Sequence, residues 1–203
     1  MRPPRMRVAL FGRSLAGFTL ANAMERAGHE VQMLSDPAEL SSFEALIIAV
    51  GDARLEATVE LLEPHVHHGL IVFHTCLSRG VQVLDPLETR GCVVAALAPF
   101  ALMRWAVTTL DELGETVVEL NITEFRGEAV ALSDAERPSF AARAYYAEML
   151  RRLHISAAVD ARFFPSAEEK PMVGEDMDTE EIIAAYRGAT DPGLRRSYVE
   201  VAR

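Results

Sequence analysis

A chain of 203 residues, half of them apolar, is long enough to bury a substantial core as one domain with an appendage or as two small domains. A formal net charge of −10 argues against a nucleic-acid or anionic-membrane surface. Two cysteines, Cys76 and Cys92, exclude a disulfide framework and fit a reducing, cytoplasmic setting; the apolar run in the basic opening MRPPRMRVALFG stops at Gly12, too early for a secretory leader, and no run reaches membrane-spanning length.

RVALF (7–11) reads as a continuous apolar strand. Leu20, Ala23, Met24 and Ala27 then recur on one helical face that stops at Gly28. Strands follow at EVQML (30–34) and ALIIAV (45–50), then a helix carrying Leu55, Val59 and Leu62 that ends near Pro64. LIVFH (70–74) and CVVAALA (92–98) are two more buried strands, separated by a short helical stretch over 81–89. A helix over about 101–113 is expected next, leading to ETVVELN and EAVALS. Continuous apolar strands joined by helical crossovers imply a mostly parallel sheet covered on both faces. From Ser133 the pattern changes to a capped helix with Tyr146, Met149, Leu150 and Leu153 on one stripe, an irregular stretch at 155–175, and two helices split by TDPG. The expected organisation is an α/β domain over 1–132 and a small helical segment over 133–203.

Strand–turn–helix context surrounds FGRSLAG (11–17), in which Gly12 and Gly17 take the first and third places of a G-x-G-x-x-G turn and Ser14 the second. In a Rossmann arrangement these glycines allow the tight turn, the approach to pyrophosphate and close helix–strand packing, and the helix N-terminus faces the phosphates. Gly12, Arg13, Ser14, Leu15 and Gly17 are therefore candidate cofactor-binding residues. The second strand ends in MLSDP, with Ser35 at the usual acidic place and Asp36 one step later. Ser35, with Arg13 as a compensating charge, leans toward NADP over NAD; alternatively Ser35 and Asp36 cap a short helix before Pro37. Only ten residues separate Leu34 from Ala45, too few for a further helix, edge strand and crossover, so the sheet is expected to be shortened on the adenine side.

In order along the chain, MRVALFGRSLAGFTLANAMERAGHEV, ALIIAVGDARLEATVELL, LIVFHTCLSRGVQVLDPLETRGCVVAALAPF and ERPSFAARAYYAEML resemble a Rossmann-like oxidoreductase family of the 6-phosphogluconate-dehydrogenase type. The resemblance covers roughly 6–150 and implies an NADP-binding fold, a helical segment that forms a homodimer and reductase ancestry. It departs from the family at Ser14, at His74-Thr75-Cys76-Leu77 in place of HTSG, at Ala98-Pro99 in place of HP, and at Ala141, where the family's RPxYHAAA helix carries a histidine.

In an open parallel sheet, ligands bind beyond the carboxyl ends of the strands. That edge is expected to present Gly51 and Asp52 as further cofactor contacts, His74 as general acid or base, and Thr75 and Ser78 as substrate-orienting hydroxyls. His74 and Thr75 read equally as groups that satisfy loop backbone. Arg79 and Arg104 are candidate anion partners. The single lysine, Lys170, lies in the irregular stretch, so a lysine-based mechanism is not supported. His65, His67 and His68 precede the fourth strand while His74 and Cys76 follow it, ~17 Å away, and no zinc spacing is matched, so no metal site is expected. The leading expectation is hydride transfer between NADP and a small carbonyl, imine or hydroxy acid. The alternative is a non-catalytic ligand-binding or interaction protein on this fold, with a thiol or metal protein third.

Overall fold

The computed structural model describes residues 5–152 and 179–201; the expected irregular stretch at 155–175 with Lys170, together with Leu153 and the Leu150 side chain, lies outside the described residues. The chain runs β1 (Arg7–Gly12), α1 (Leu15–Ala27), β2 (Glu30–Met33), β3 (Ala45–Ala49), α2 (Leu55–Leu62), β4 (Ile71–His74) and α3 (Asp85–Thr89). It continues with β5 (Val93–Ala101), β6 (Arg104–Thr109), α4 (Glu112–Phe125), β7 (Glu128–Ala131), α5 (Arg137–Arg152), α6 (Thr179–Gly188) and α7 (Pro192–Val201).

Among the described residues one seven-stranded sheet forms, in the order β2-β1-β3-β4-β5-β6-β7. Every neighbouring pair is parallel except β5–β6. Side chains alternate across the strands, as the two-residue period requires. Ala9, Leu46, Ile48 and Val72 pack on one face with Leu55, Val59, Leu62, Leu84 and Leu87 from α2, α3 and the turn before α3. Val8, Leu10, Ile47 and Phe73 pack on the other with Leu20 and Met24 of α1 and Val118, Ile122 and Phe125 of α4. A third cluster joins Ala98, Phe100 and Ala106 of β5–β6 to Phe140, Ala141 and Tyr145 of α5, Ala185 of α6 and Tyr198 of α7.

The sheet ends at β2 on one side, because the connection after it makes only a 3-10 turn, Pro37–Ser42. Its other side extends further than expected. The helix expected over 101–113 is instead the β5–β6 hairpin, turning at Leu102 and Met103, the latter at φ +57°. Trp105 and Val107 alternate onto one face, while Ala106 joins the third cluster, which is the period of a strand. ETVVELN lies inside α4, which Asp111 opens by accepting the Gly114 N–H at 2.7 Å. Ala98 and Pro99 are not a turn but part of β5, which is buried to its last residue.

Gly17 brings α1 against β3, since a Cβ there would overlap the Ala49 side chain. Among the described residues no helix is long and apolar enough to cross a membrane. Gly17→Ala forces α1 off the sheet and is expected to lower unfolding stability by about 1–3 kcal/mol, read as a reduced urea midpoint with an unchanged slope.

Candidate functional site

The strand order reverses direction between β1 and β3, which opens a crevice at their carboxyl ends. Gly12 sits there at φ +104°, a left-handed conformation, and a Cβ on it would run into the Ala49 carbonyl. The Ser14 N–H donates to that carbonyl at 2.9 Å. Ser14 takes the place of the second glycine and acts as N-cap of α1, its Oγ accepting the Gly17 N–H at 3.1 Å. That uses one of the amides a helix N-terminus offers an anion; the Leu15 and Ala16 amides have no intrahelical acceptor. Ser14 Oγ also lies 3.5 Å from Thr75 Oγ1, which ties the β1 turn to the β4 turn. Arg13 and Leu15 are exposed beside it.

Ser35 and Asp36 lie exposed at the outer edge, beyond β2. Asp36 caps the 3-10 turn by accepting the Ala38 N–H at 2.9 Å, with Pro37 at its first position. Beyond β4 the arrangement departs from expectation. His74 is fully buried; its Nδ1 accepts the Cys76 N–H at 3.3 Å, so its Nε2 carries the proton and donates to the Gly80 carbonyl at 3.0 Å. Burial, reinforced by the nearby Arg137 cation, drives the imidazole from its ordinary value of 6.5 down to about 3. The expected general acid or base is thus a neutral clamp that shapes the turn. Cys76 is buried as well, its thiol donating to the Val50 carbonyl, and burial pushes its pKa up, opposite to a reactive thiolate.

Arg137, at the start of α5, holds the same turn from the other side. Its Nη1 donates to Thr108 Oγ1 and its Nη2 to the Cys76 carbonyl, both at 3.1 Å. Asp134 accepts the Val81 and Gln82 N–H groups at 2.7 and 3.0 Å, in a seat that any side chain on Gly80 would fill. Neither residue was singled out from the sequence. The signal available was the Ser133–Glu136 spacing, where the Glu136 carboxylate accepts the Ser133 N–H and hydroxyl; it places Asp134 in the turn before α5 and Arg137 at the helix start.

Between the loops after β3 and β4 and helix α6 lies an open cleft of about 710 Å³. Of the expected residues, Gly51, Asp52 and Ser78 line it, and Ser78 hydrogen-bonds Asp52. Arg79 lines it too, paired with Glu56. Gly12–Gly17 and Ser35–Asp36 lie outside that lining. Arg104 is buried and bound up with Glu128 at 3.2 Å, over the Phe100 ring, so it serves the fold. Helix α6 supplies Glu181, which comes to 3.1 Å from the position a Cβ on Gly51 would take and accepts the Tyr145 hydroxyl at 2.9 Å. Arg54, Glu181 and Arg187 complete a mixed-charge wall that the sequence, read element by element, did not bring together. At the opposite edge His67 is occupied by the Phe43 and His68 carbonyls, both at 3.0 Å.

A family model described as a Rossmann-like domain matches residues 36–99. The fold is Rossmann-like. No curated protein matches the chain. Among solved structures it resembles an NADP-bound pyrroline carboxylate reductase from Plasmodium falciparum (TM-score 0.58, 11% identity, 74% of this chain and 66% of that one). A ketopantoate reductase from Ralstonia eutropha is similar over 97% of both chains (TM-score 0.59, 12% identity). So is a putative NADP oxidoreductase from Bacteroides fragilis, over 98% of this chain and 96% of that one (TM-score 0.58, 15% identity). The chain spans about two thirds of the Plasmodium reductase. At these identities the likeness is one of fold.

The depressed His74 pKa has a direct consequence. The unfolded chain protonates this imidazole below about 6.5 and the folded chain only near 3, so its stabilisation is complete above 6.5 and drains away as the pH falls through that window. His74→Gln is expected to cost about 1–3 kcal/mol above the window. In urea unfolding across pH, the gap from wild type should narrow toward the acid end.

Proposed function

We propose that the protein is a nicotinamide-dinucleotide-dependent oxidoreductase of the 6-phosphogluconate-dehydrogenase type, acting on a small carbonyl, imine or hydroxy acid. The observation that carries this reading is the β1–α1 turn: Gly12 and Gly17 are both enforced by contact with Ala49, at the reversal point of the sheet, with the α1 amides facing outward. The pyrophosphate is assigned to that turn, and the nicotinamide to the neighbouring cleft edge at Gly51 and Asp52. Exposed Ser35, with no carboxylate at its own position, and exposed Arg13 support NADP over NAD; Asp36 is turned into its own capping bond. When bound, the nicotinamide supplies hydride exchange with a substrate carbon.

The chain's own residues would then hold the substrate and handle protons. The carboxylates that line the cleft are Glu181, which the Tyr145 hydroxyl holds, Asp52, which Ser78 holds, and Glu180. His74 and Thr75 act one step back, shaping the turn that carries Ser78. The helical segment beginning at 133 closes the cleft through α6, and we assign the homodimer contact to that segment. A second reading, ligand binding without catalysis, is favoured by one observation: Ser14 takes the Gly17 amide that a glycine in its place would leave for phosphate.

Calorimetric titration with NADPH and, separately, NADH tests the reading: micromolar binding of NADPH with weaker NADH is expected, and no binding of either overturns it. Ser14→Gly removes the competing hydroxyl at a stability cost of a few tenths of a kcal/mol. It is expected to tighten NADPH by about threefold or more, roughly what regaining a fraction of one hydrogen bond gives. An unchanged affinity in a folded variant would place the pyrophosphate elsewhere.

A further inference from the structure

Three carboxylates, Asp52, Glu180 and Glu181, and three guanidiniums, Arg54, Arg79 and Arg187, line the cleft, so their formal charges cancel but their contacts differ. Its acids are engaged: Asp52 with Ser78, Glu181 with Tyr145, and Glu180 within the fold. Of its three guanidiniums, only Arg79 is paired among the described residues, with Glu56. Arg54 and Arg187 line the same space with no ion pair or hydrogen bond among the described residues. They come from opposite walls, Arg54 from the loop leading into α2 and Arg187 from the last turn of α6. Pro138 and Ile183 add apolar surface to the same lining.

We propose that Arg54 and Arg187 together bind the carboxylate of the ligand, and that the cleft takes a carboxylic acid with a short aliphatic body. This rests on the oxidoreductase reading only for the chemistry that follows binding. Guanidiniums match carboxylates as paired donors, and a pair contributed from two walls of a cleft selects an anion that reaches both. An exposed ion pair in water is worth little, but an anion whose aliphatic body lies against Pro138 and Ile183 is partly shielded from solvent, which strengthens the contact. The ligand then also joins the sheet to the appended helices, since its carboxylate is shared between α2's entry loop and α6. Commitment to a carboxylate, over a cofactor phosphate, follows from position. The two arginines line the cleft together with Pro138 and Ile183, while the phosphate-facing amides belong to the β1–α1 turn outside it.

The test is a ligand-observed NMR titration of the full chain with hexanoate and with hexanamide, its uncharged counterpart, with and without saturating NADPH. Wild type, Arg54→Gln and Arg187→Gln are compared, and each variant is also titrated with NADPH alone. Hexanoate is expected to bind about tenfold tighter than hexanamide. Each substitution is expected to remove about tenfold of hexanoate affinity and leave hexanamide and NADPH unaffected. Both arginines are exposed, so loss of fold is read independently from circular dichroism. Equal binding of hexanoate and hexanamide overturns the proposal. So does a loss confined to NADPH, which would assign the guanidiniums to a cofactor phosphate. Arginine-dependent hexanoate binding in a protein that fails to bind NADPH upholds the clamp and removes the cofactor reading alone.

Discussion

The ligand edge of this sheet is organised by one buried cation. Taking a guanidinium out of water costs several kcal/mol, and such a group persists only where hydrogen bonds and opposite charge offset the loss. Arg137 meets those terms with Thr108 on β6, the Cys76 carbonyl beyond β4, and the negative fields of Asp134 and Asp52. Burial lowers its pKa from 12.5 to about 10, so it remains a cation at neutral pH. An apolar contact between α5 and the sheet would tolerate sliding; a planar fork with two fixed acceptors does not. The position of the whole helical segment relative to the β4 turn follows from that fork.

Burial, reinforced by the same cation, keeps His74 neutral. A histidine at the end of a parallel strand stands where acid–base chemistry is ordinarily done, and the sequence places it there correctly. What the sequence does not display is that the chain curls back at Gly80 to take the Nε2 proton, and that Arg137 arrives from 63 positions away with a positive charge beside the ring. Both contacts are tertiary: the Gly80 carbonyl by itself favours the protonated ring, and burial together with the Arg137 charge outweighs it. The alternative reading of the sequence, in which the histidine satisfies loop backbone, describes the geometry found.

Legibility tracked how local each constraint is. The strands of the parallel half, α1 with its stop at Gly28, and the short connection after β2 all follow from periodicity and chain length within a few residues. The stretch over 101–113 did not, because Leu102, Met103, Trp105 and Val107 satisfy a helical and a strand period about equally well over so short a window. Pairing with β5 decided the matter, and that pairing is invisible locally. Asp111 three residues before Gly114 was the available sign that the helix begins later. Of the candidate site, the individual residues of the glycine turn and of the β3 and β4 loops were legible. Their grouping was not: Ser14 meets Thr75, Ser78 meets Asp52, and Glu181 meets Gly51 across separations that no sequence period links.

Loss of the outer edge and gain of the helical wall act on opposite ends of the same crevice. With β2 as the last strand, little protein stands beyond Ser35 and Asp36, and a ligand's adenine end would lie against an exposed strand whose own side chains face solvent. At the other end α6 closes over Gly51, and the absence of a side chain there is what lets Glu181 approach. For the proposed dinucleotide, affinity that a longer sheet would draw from the adenine pocket would have to come from the turn and the cleft. That shift makes the Ser14 hydroxyl consequential. On a scaffold with a deep adenine pocket, one captured amide would matter little. In the proposed reading the α1 N-terminus would be a principal anion contact, and the capping bond that stabilises the helix would compete with the phosphate for the same N–H. Under that reading fold and function would draw on one donor, the Gly17 N–H that Ser14 Oγ accepts, and the residue at position 14 would set how it is divided.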